Sequence, residues 1–201
     1  MQCIVCKFGG SATATPEAVR SLCALVRQNK QRRYVVVSAP GRRTKGDDKI
    51  TDLLLAAYRE SLCGKSDAWQ QVRSRFFRLA DELNVKGMRA CLQETERALA
   101  EHPYEAFFAS RGEYLCATML AELLQWPMVD AVGIIRFCGT KANFDASYVT
   151  TKEKLARVPY AVIPGFYGSD EKGNVVTFSR GGSDVTGAIV ARAVEADLYE
   201  N

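Results

Sequence analysis

Three short stretches set the terms on which this chain can fold. Ile4-Val5-Cys6, Tyr34-Val35-Val36-Val37 and Tyr160-Ala161-Val162-Ile163-Pro164 are apolar without the every-other-residue polarity of a half-exposed strand. Strands of that kind are covered on both faces, which requires a parallel sheet sandwiched between helices. The intervening sequence supplies those helices. Thr15 is a good N-cap with Pro16 in the first helical position, and Val19, Leu22, Cys23 and Val26 follow at helical spacing. Ile50, Leu53, Leu54, Ala57 and Tyr58 mark a second helix, and further helical patterns run over about 67 to 83 and 86 to 101. Ser110-Arg111-Gly112-Glu113 reads as the opening of another, with Leu115, Met119, Leu123 and Trp126 on one face, and a short helix is expected around Thr151 to Ala156. Phe166-Tyr167 and Val175 to Phe178 flank the turn residues Glu171-Lys172-Gly173-Asn174, a hairpin pattern, and a last helix spans about Ser183 to Ala196. The expected architecture is α/β, a three-layer α/β/α sandwich with a mainly parallel central sheet.

Composition removes several functions. With no apolar run of about 18 residues and no charged-then-apolar leader, neither a membrane span nor a signal peptide is expected, and the chain reads as cytoplasmic. Seven scattered cysteines suit reduced thiols used as small hydrophobes. Cys3 and Cys6 form a C-x-x-C, but no second pair or histidine follows, so a metal site is not expected. A net charge of +4 permits an anionic ligand without demanding one. Arg73, Arg75 and Arg78 lie opposite Val72, Phe76, Leu79 and Leu83 on a helical wheel, which predicts a solvated face rather than a nucleic-acid surface. The single histidine, His102, precedes Pro103 at an expected helix end, so imidazole chemistry is not anticipated.

Two segments invite chemistry. Lys7-Phe8-Gly9-Gly10-Ser11 and Arg180-Gly181-Gly182-Ser183-Asp184 each run from a strand through paired glycines toward a helix, and each carries a cation at the strand exit. Glycines let backbone N–H groups close on an anion, and a helix N-terminus adds a favourable dipole. Neither is a standard nucleotide motif. Gly64-Lys65-Ser66 looks like the end of a P-loop, but the glycine such a loop needs first falls at Arg59, and there is no G-x-G-x-x-G. Each residue also has a structural reading. Ser110 and Glu113 fit a capping box, Ser183 an N-cap, Asp184 a first-turn acid beside the helix dipole, and Lys7 a side chain snorkelling from a strand end.

Taken in order, six motifs resemble those of the aspartokinases of the amino acid kinase fold family. They are Lys7 to Ser11, Val35-Val36-Val37-Ser38-Ala39, Thr51-Asp52-Leu53-Leu54, Arg111-Gly112-Glu113, Val162 to Gly168, and Thr177 to Thr186. Ser179, Cys116 and Ala12 depart from the family's usual residues. The resemblance implies phosphorylation of the L-aspartate side-chain carboxylate by ATP with Mg2+, giving 4-phospho-L-aspartate, the first step toward lysine, threonine and methionine. It further implies that Lys7 and Asp184 are catalytic, Asp184 orienting lysines, and that Lys7, Gly9, Gly10 and Ser11 bind phosphate. Ser38, Thr44, Glu113, Arg180 and Ser183 would bind aspartate, Glu113 at the ammonium and Arg180 at a carboxylate. On the same resemblance, residues 1 to 201 correspond to the amino-acid-binding portion of a kinase domain, without its nucleotide-binding half and ACT regulatory domains. A homo-oligomer is implied for the full-length protein, and an open sheet edge and poor turnover for this chain. A non-catalytic amino-acid-binding module, or a sibling kinase acting on glutamate, acetylglutamate or a nucleotide monophosphate, are the alternatives.

Overall fold

The computed structural model describes residues 2–179 and 181–201. Its centre is a parallel sheet of four strands in the order β5-β2-β1-β8. These are β1 (Ile4–Phe8), β2 (Arg32–Val37), β5 (Ala161–Pro164) and β8 (Leu198–Glu200). Val5 lies opposite Tyr34 on one side and Tyr199 on the other, and Tyr34 in turn opposes Ala161. The apolar runs behave as their composition requires, with Val35, Val36, Val37, Val162 and Ile163 fully buried.

Helices cover both faces, so the three-layer α/β/α expectation holds. α5 (Glu105–Leu124) packs on β2 and β5 in company with α1 (Pro16–Arg27), α2 (Ile50–Ser61) and α4 (Met88–Glu101), while α3 (Asp67–Glu82) packs on α2 and α4. α7 (Gly182–Ala193), backed by α6 (Phe144–Leu155), packs on β1 and β2. Two small antiparallel hairpins complete the fold, β3 (Phe137–Cys138) with β4 (Lys141–Ala142), and β6 (Tyr167–Ser169) with β7 (Val175–Thr177). The turn of the second is bound by Asp170, whose carboxylate accepts from the Lys172 and Asn174 N–H groups at 2.9 and 2.8 Å. Thr15 caps α1 by accepting from the Ala18 N–H at 3.3 Å.

Several expectations are corrected. α5 begins at Glu105, so Ser110 and Glu113 lie inside it and form no capping box. The helix is buried almost all round, and a helix without a polar face has no amphipathic edge to mark where it starts. It stops at Leu124 because Gln125 takes a left-handed conformation (φ 59°), which removes Trp126 from the helix face and stacks it on Tyr160 at 4.9 Å. α6 starts at Phe144, where Asn143 accepts from the Ala146 N–H at 3.1 Å. α7 is capped by Gly181 rather than Ser183 and ends at Ala193. β8 was not anticipated from the sequence at all. Arg75 does not belong to a solvated face, since its side chain is only 8% exposed.

The cysteines are all free, with Cys63 and Cys138 exposed and the other five buried. Among the described residues no helix is long and apolar enough to cross a membrane.

Candidate functional site

The strand order places the site. From β1 the chain moves outward through β2 to β5, then returns to lay β8 on the opposite side of β1. Such a reversal opens a crevice at the carboxyl end of the strand where it occurs. Four segments meet there: the β1 exit with Lys7, Gly9 and Gly10, the β2 exit with Ser38 and Ala39, the β5 exit at Gly165-Phe166, and the first turn of α7 with Ser183 and Asp184.

Backbone contacts bind them to one another. The Ser38 N–H donates to Phe8 O at 3.1 Å, the Gly165 N–H to Val37 O at 2.9 Å, and the Gly41 N–H to Gly10 O at 2.8 Å. Two of these meetings leave no room for a side chain. A β-carbon on Gly10 would stand 2.8 Å from Ala39 O, and one on Gly165 would stand 2.6 Å from the Ser183 β-carbon. Phe166 pays for its place with a left-handed backbone (φ 77°), and its N–H donates to Thr186 Oγ1 at 3.3 Å. Strain of that kind persists only where the surroundings impose it.

Lys7 reaches from the end of β1 to Asp184 on α7, Nζ to Oδ1 at 2.6 Å. The lysine side chain is 12% exposed and the aspartate 50%, so the pair faces an opening rather than the core. Gly9 lies beside the same ammonium; a β-carbon there would be 3.7 Å from Nζ. α7 starts without a side-chain cap, and the dipole at its first turn favours an anion.

Glu113 supplies the second electrostatic feature. It projects from α5 toward the β2 exit, where the Ala39 N–H favours its charged form. It is 5% exposed, and its Oε2 is the buried side-chain oxygen without a hydrogen-bond partner among the described residues. Burial outweighs the Ala39 N–H and the nearby Arg111 and pushes the Glu113 carboxyl up to about 8. Arg111 does not neutralise it by contact. That guanidinium donates to Ser110 Oγ from Nε and Nη2 at 3.1 and 2.9 Å, and lies over the rings of Phe107 and Tyr114 at 4.2 and 4.6 Å. A buried carboxyl with one orphan oxygen is suited to a ligand cation.

Of the residues singled out from the sequence, the fold thus gathers Lys7, Gly9, Gly10, Ser38, Glu113, Ser183 and Asp184 around the carboxyl end of the sheet. Ser11 is exposed in the 3-10 turn Gly10–Thr13. Thr44 is exposed in the segment between β2 and α2, its carbonyl accepting from the Asp47 N–H at 3.2 Å, and among the described residues no hydrogen bond ties it to the glycine loops. Arg180 lies outside the described residues.

A family model described as the amino acid kinase family matches residues 2–201. The chain belongs to the amino acid kinase family. Among curated relatives, aspartokinase 3 of Bacillus subtilis (strain 168) is 32% identical over 216 residues, covering 98% of this chain and 47% of its own length. The aspartokinase of Chlamydia muridarum is 26% identical, over 96% of this chain and 46% of its own. The chain therefore spans about half the length of the curated relatives it matches. The crystal structure of Clostridium acetobutylicum aspartate kinase superposes with a TM-score of 0.95 at 38% identity, over 100% of this chain and 47% of the other. The Escherichia coli aspartokinase III structure with aspartate and ADP shares the fold, with a TM-score of 0.82 at 23% identity over 98% and 48% of the two chains.

Within this amino acid kinase fold, the sequence reading overlooked the residues that carry others. Thr186 Oγ1 donates to Gly182 O at 2.8 Å while accepting from Phe166, which joins α7 to the β5 exit. The Tyr199 hydroxyl donates to Asp184 O at 3.2 Å, bracing the helix turn that presents Asp184. The signal for Tyr199 would have been β8 itself, a three-residue strand too short to show a pattern.

Proposed function

We propose that this chain is the amino-acid-binding portion of an aspartate kinase, in which the L-aspartate side-chain carboxylate attacks the terminal phosphorus of ATP to give 4-phospho-L-aspartate and ADP. The observation that carries this reading is the pairing, at one end of the sheet, of a half-open Lys7–Asp184 couple with the buried, unpartnered carboxyl of Glu113. One half suits an anion and the other an ammonium, and an amino acid that accepts a phosphoryl group has both. The 38% identity to an aspartate kinase across the whole chain supports the choice of aspartate over glutamate, acetylglutamate or a nucleotide monophosphate.

In this reading two anionic reactants must be brought together, and the protein's work is positioning and charge compensation. Lys7 offsets the charge on the transferred group, with the Gly9 and Gly10 amides and Ser11 around it. Asp184 orients Lys7 until substrate arrives. Glu113 receives the substrate ammonium, Ser38 and Ser183 hydrogen-bond its polar groups, and Arg180 and Thr44 complete the set. The nucleotide supplies the phosphoryl group. The close backbone approach of Gly10 and Gly41 leaves no room for a side chain and packs the glycine loop against the 39–41 segment. In this scheme Mg2+ comes with the phosphates of the nucleotide. The place in metabolism that goes with this activity is the entry to lysine, threonine and methionine synthesis. Relatives about twice as long fit a kinase domain of which residues 1–201 are the amino-acid side, functioning in a homo-oligomer in the cytoplasm.

Calorimetry tests it. L-aspartate binds at pH 7 with release of a proton, because an ammonium beside Glu113 converts a carboxyl that titrates near 8 to its charged form. Titrations in two buffers of different ionisation enthalpy read that proton, and Glu113→Gln abolishes it. Coupled ADP release with aspartate and Mg-ATP measures turnover. The chain alone should bind aspartate with poor turnover; binding without turnover by the full-length protein would favour the non-catalytic module, and preference for glutamate would favour a sibling kinase.

A further inference from the structure

Arg75 is the residue the helical wheel assigns to solvent and the structure removes from it. From α3 its guanidinium crosses to the segment between β2 and α2 and engages three acceptors there. Nη2 donates to Gly41 O at 2.7 Å and lies 3.2 Å from Asp47 Oδ2, and Nη1 donates to Asp48 O at 2.5 Å. Asp47 is held from the other side by Arg43, whose Nη2 and Nε donate at 2.7 and 2.8 Å and whose N–H donates at 3.1 Å. A planar fork with fixed donor directions suits this arrangement, in which both ends of the 41–48 segment are gripped at once.

The grip does not stop at Gly41. The Gly41 N–H donates to Gly10 O at 2.8 Å, and a β-carbon on Gly41 would lie 2.8 Å from Gly10 C and 3.2 Å from Ser11 N. Gly10 opens the turn that follows Lys7, and its carbonyl also accepts from Thr13 Oγ1 at 3.2 Å. A continuous series of contacts thus runs from α3 through Gly41 to the glycine loop at the β1 exit.

We propose that Arg75 is a positioning residue that fixes the Gly9–Gly10 loop through Gly41, so that the 39–49 segment and the glycine loop are ordered as one unit. Its importance for phosphoryl transfer rests on the kinase reading above, whereas the coupling itself does not.

Hydrogen exchange read by mass spectrometry on the 201-residue chain separates the two. In Arg75→Ala, amides of 41–49 and of 9–13 both exchange at least about 10-fold faster, while those of β2 and α5 keep their protection. Arg75→Lys behaves like Arg75→Ala, because one ammonium cannot span Gly41 and Asp48 together. Gly41→Ala, which leaves Arg75 in place, loosens 9–13 by forcing the two backbones apart. Unchanged protection at 9–13 in Arg75→Ala or in Gly41→Ala overturns the proposal, and so does a wild-type pattern in Arg75→Lys, which would show that the two-ended grip of the guanidinium is not what orders the loop. If Arg75→Ala loses protection everywhere, Arg75→Lys decides on the same amides. Absence of aspartate binding by the wild-type chain would sink the kinase reading and leave the exchange result standing.

Discussion

Glu113 is where the chemistry of a single residue is most exposed to test. Its carboxyl moves from an ordinary 4.5 to about 8 on folding, so between those values the folded chain holds a proton that the unfolded chain has released. The state that binds more protons loses ground as pH rises, and this residue therefore withdraws stability across that window. Urea melts at pH 5 and pH 8 should show it, with Glu113→Gln flattening the difference and stabilising the protein at pH 8; an unchanged slope would mean the carboxyl is already ionised. Lys7 makes the opposite case. Its partner Asp184 is half exposed, so Lys7→Met should move stability by less than about 1 kcal/mol, yet reduce ADP release by the full-length protein roughly 100-fold or more. At this scale the sequence was informative about which residues matter. Lys7, Glu113 and Asp184 could be named from motif order, but the orphan oxygen of Glu113 could not, because it follows from what the interior of α5 faces.

Elements were legible in proportion to how one-sided they are. α1 and α2 have a dry face and a wet one, and their starting residues follow from the pattern. α5 has neither, and its Ser110-x-x-Glu113 spacing imitates a cap that the helix, already under way, does not use. The loops between elements carry the tightest steric demands. Gly165→Ala should cost about 1–3 kcal/mol in urea unfolding, since the new β-carbon meets the Ser183 α-carbon at 2.7 Å as well as its β-carbon. Ser183→Gly cannot relieve a clash with backbone, so the double variant should be no more stable than the single one. Gly9→Ala, next to the same site but with its contact at an ordinary 3.7 Å from Lys7 Nζ and a backbone φ of −76°, should fall within about 0.5 kcal/mol of the wild type. Recovery of stability in the Gly165→Ala, Ser183→Gly protein would show that the side chain alone is the obstacle.

For the molecule as a whole, the cysteines offer a simple measure of how much of the fold is closed. Two thiols, Cys63 and Cys138, should react with an aromatic disulfide reagent at once, and the five buried ones only as the protein unfolds. Faster labelling of a third would locate an opening in the sheet or the α5 layer. The sheet's layout was readable as a class, parallel and doubly covered, but not in its order, because β8 has only three residues and its identity depends on a neighbour 194 positions away. There the Cys3 N–H donates to Asp197 Oδ2 at 2.6 Å, and Arg32 holds Glu200, Nε to Oε2 at 2.7 Å. Asp197→Ala should therefore destabilise by about 1–2 kcal/mol through the stranded Cys3 amide. The same pairing also sets a clock. β8 is synthesised 194 residues after the start of β1, so at ordinary elongation speeds roughly 10–40 s pass during which one side of β1 has no strand to bond to. Over that interval the β1 exit, with Lys7 and its glycines, is without the α7 carboxylate that will meet it, and the free edge of β1 is the place where a wrong strand could pair.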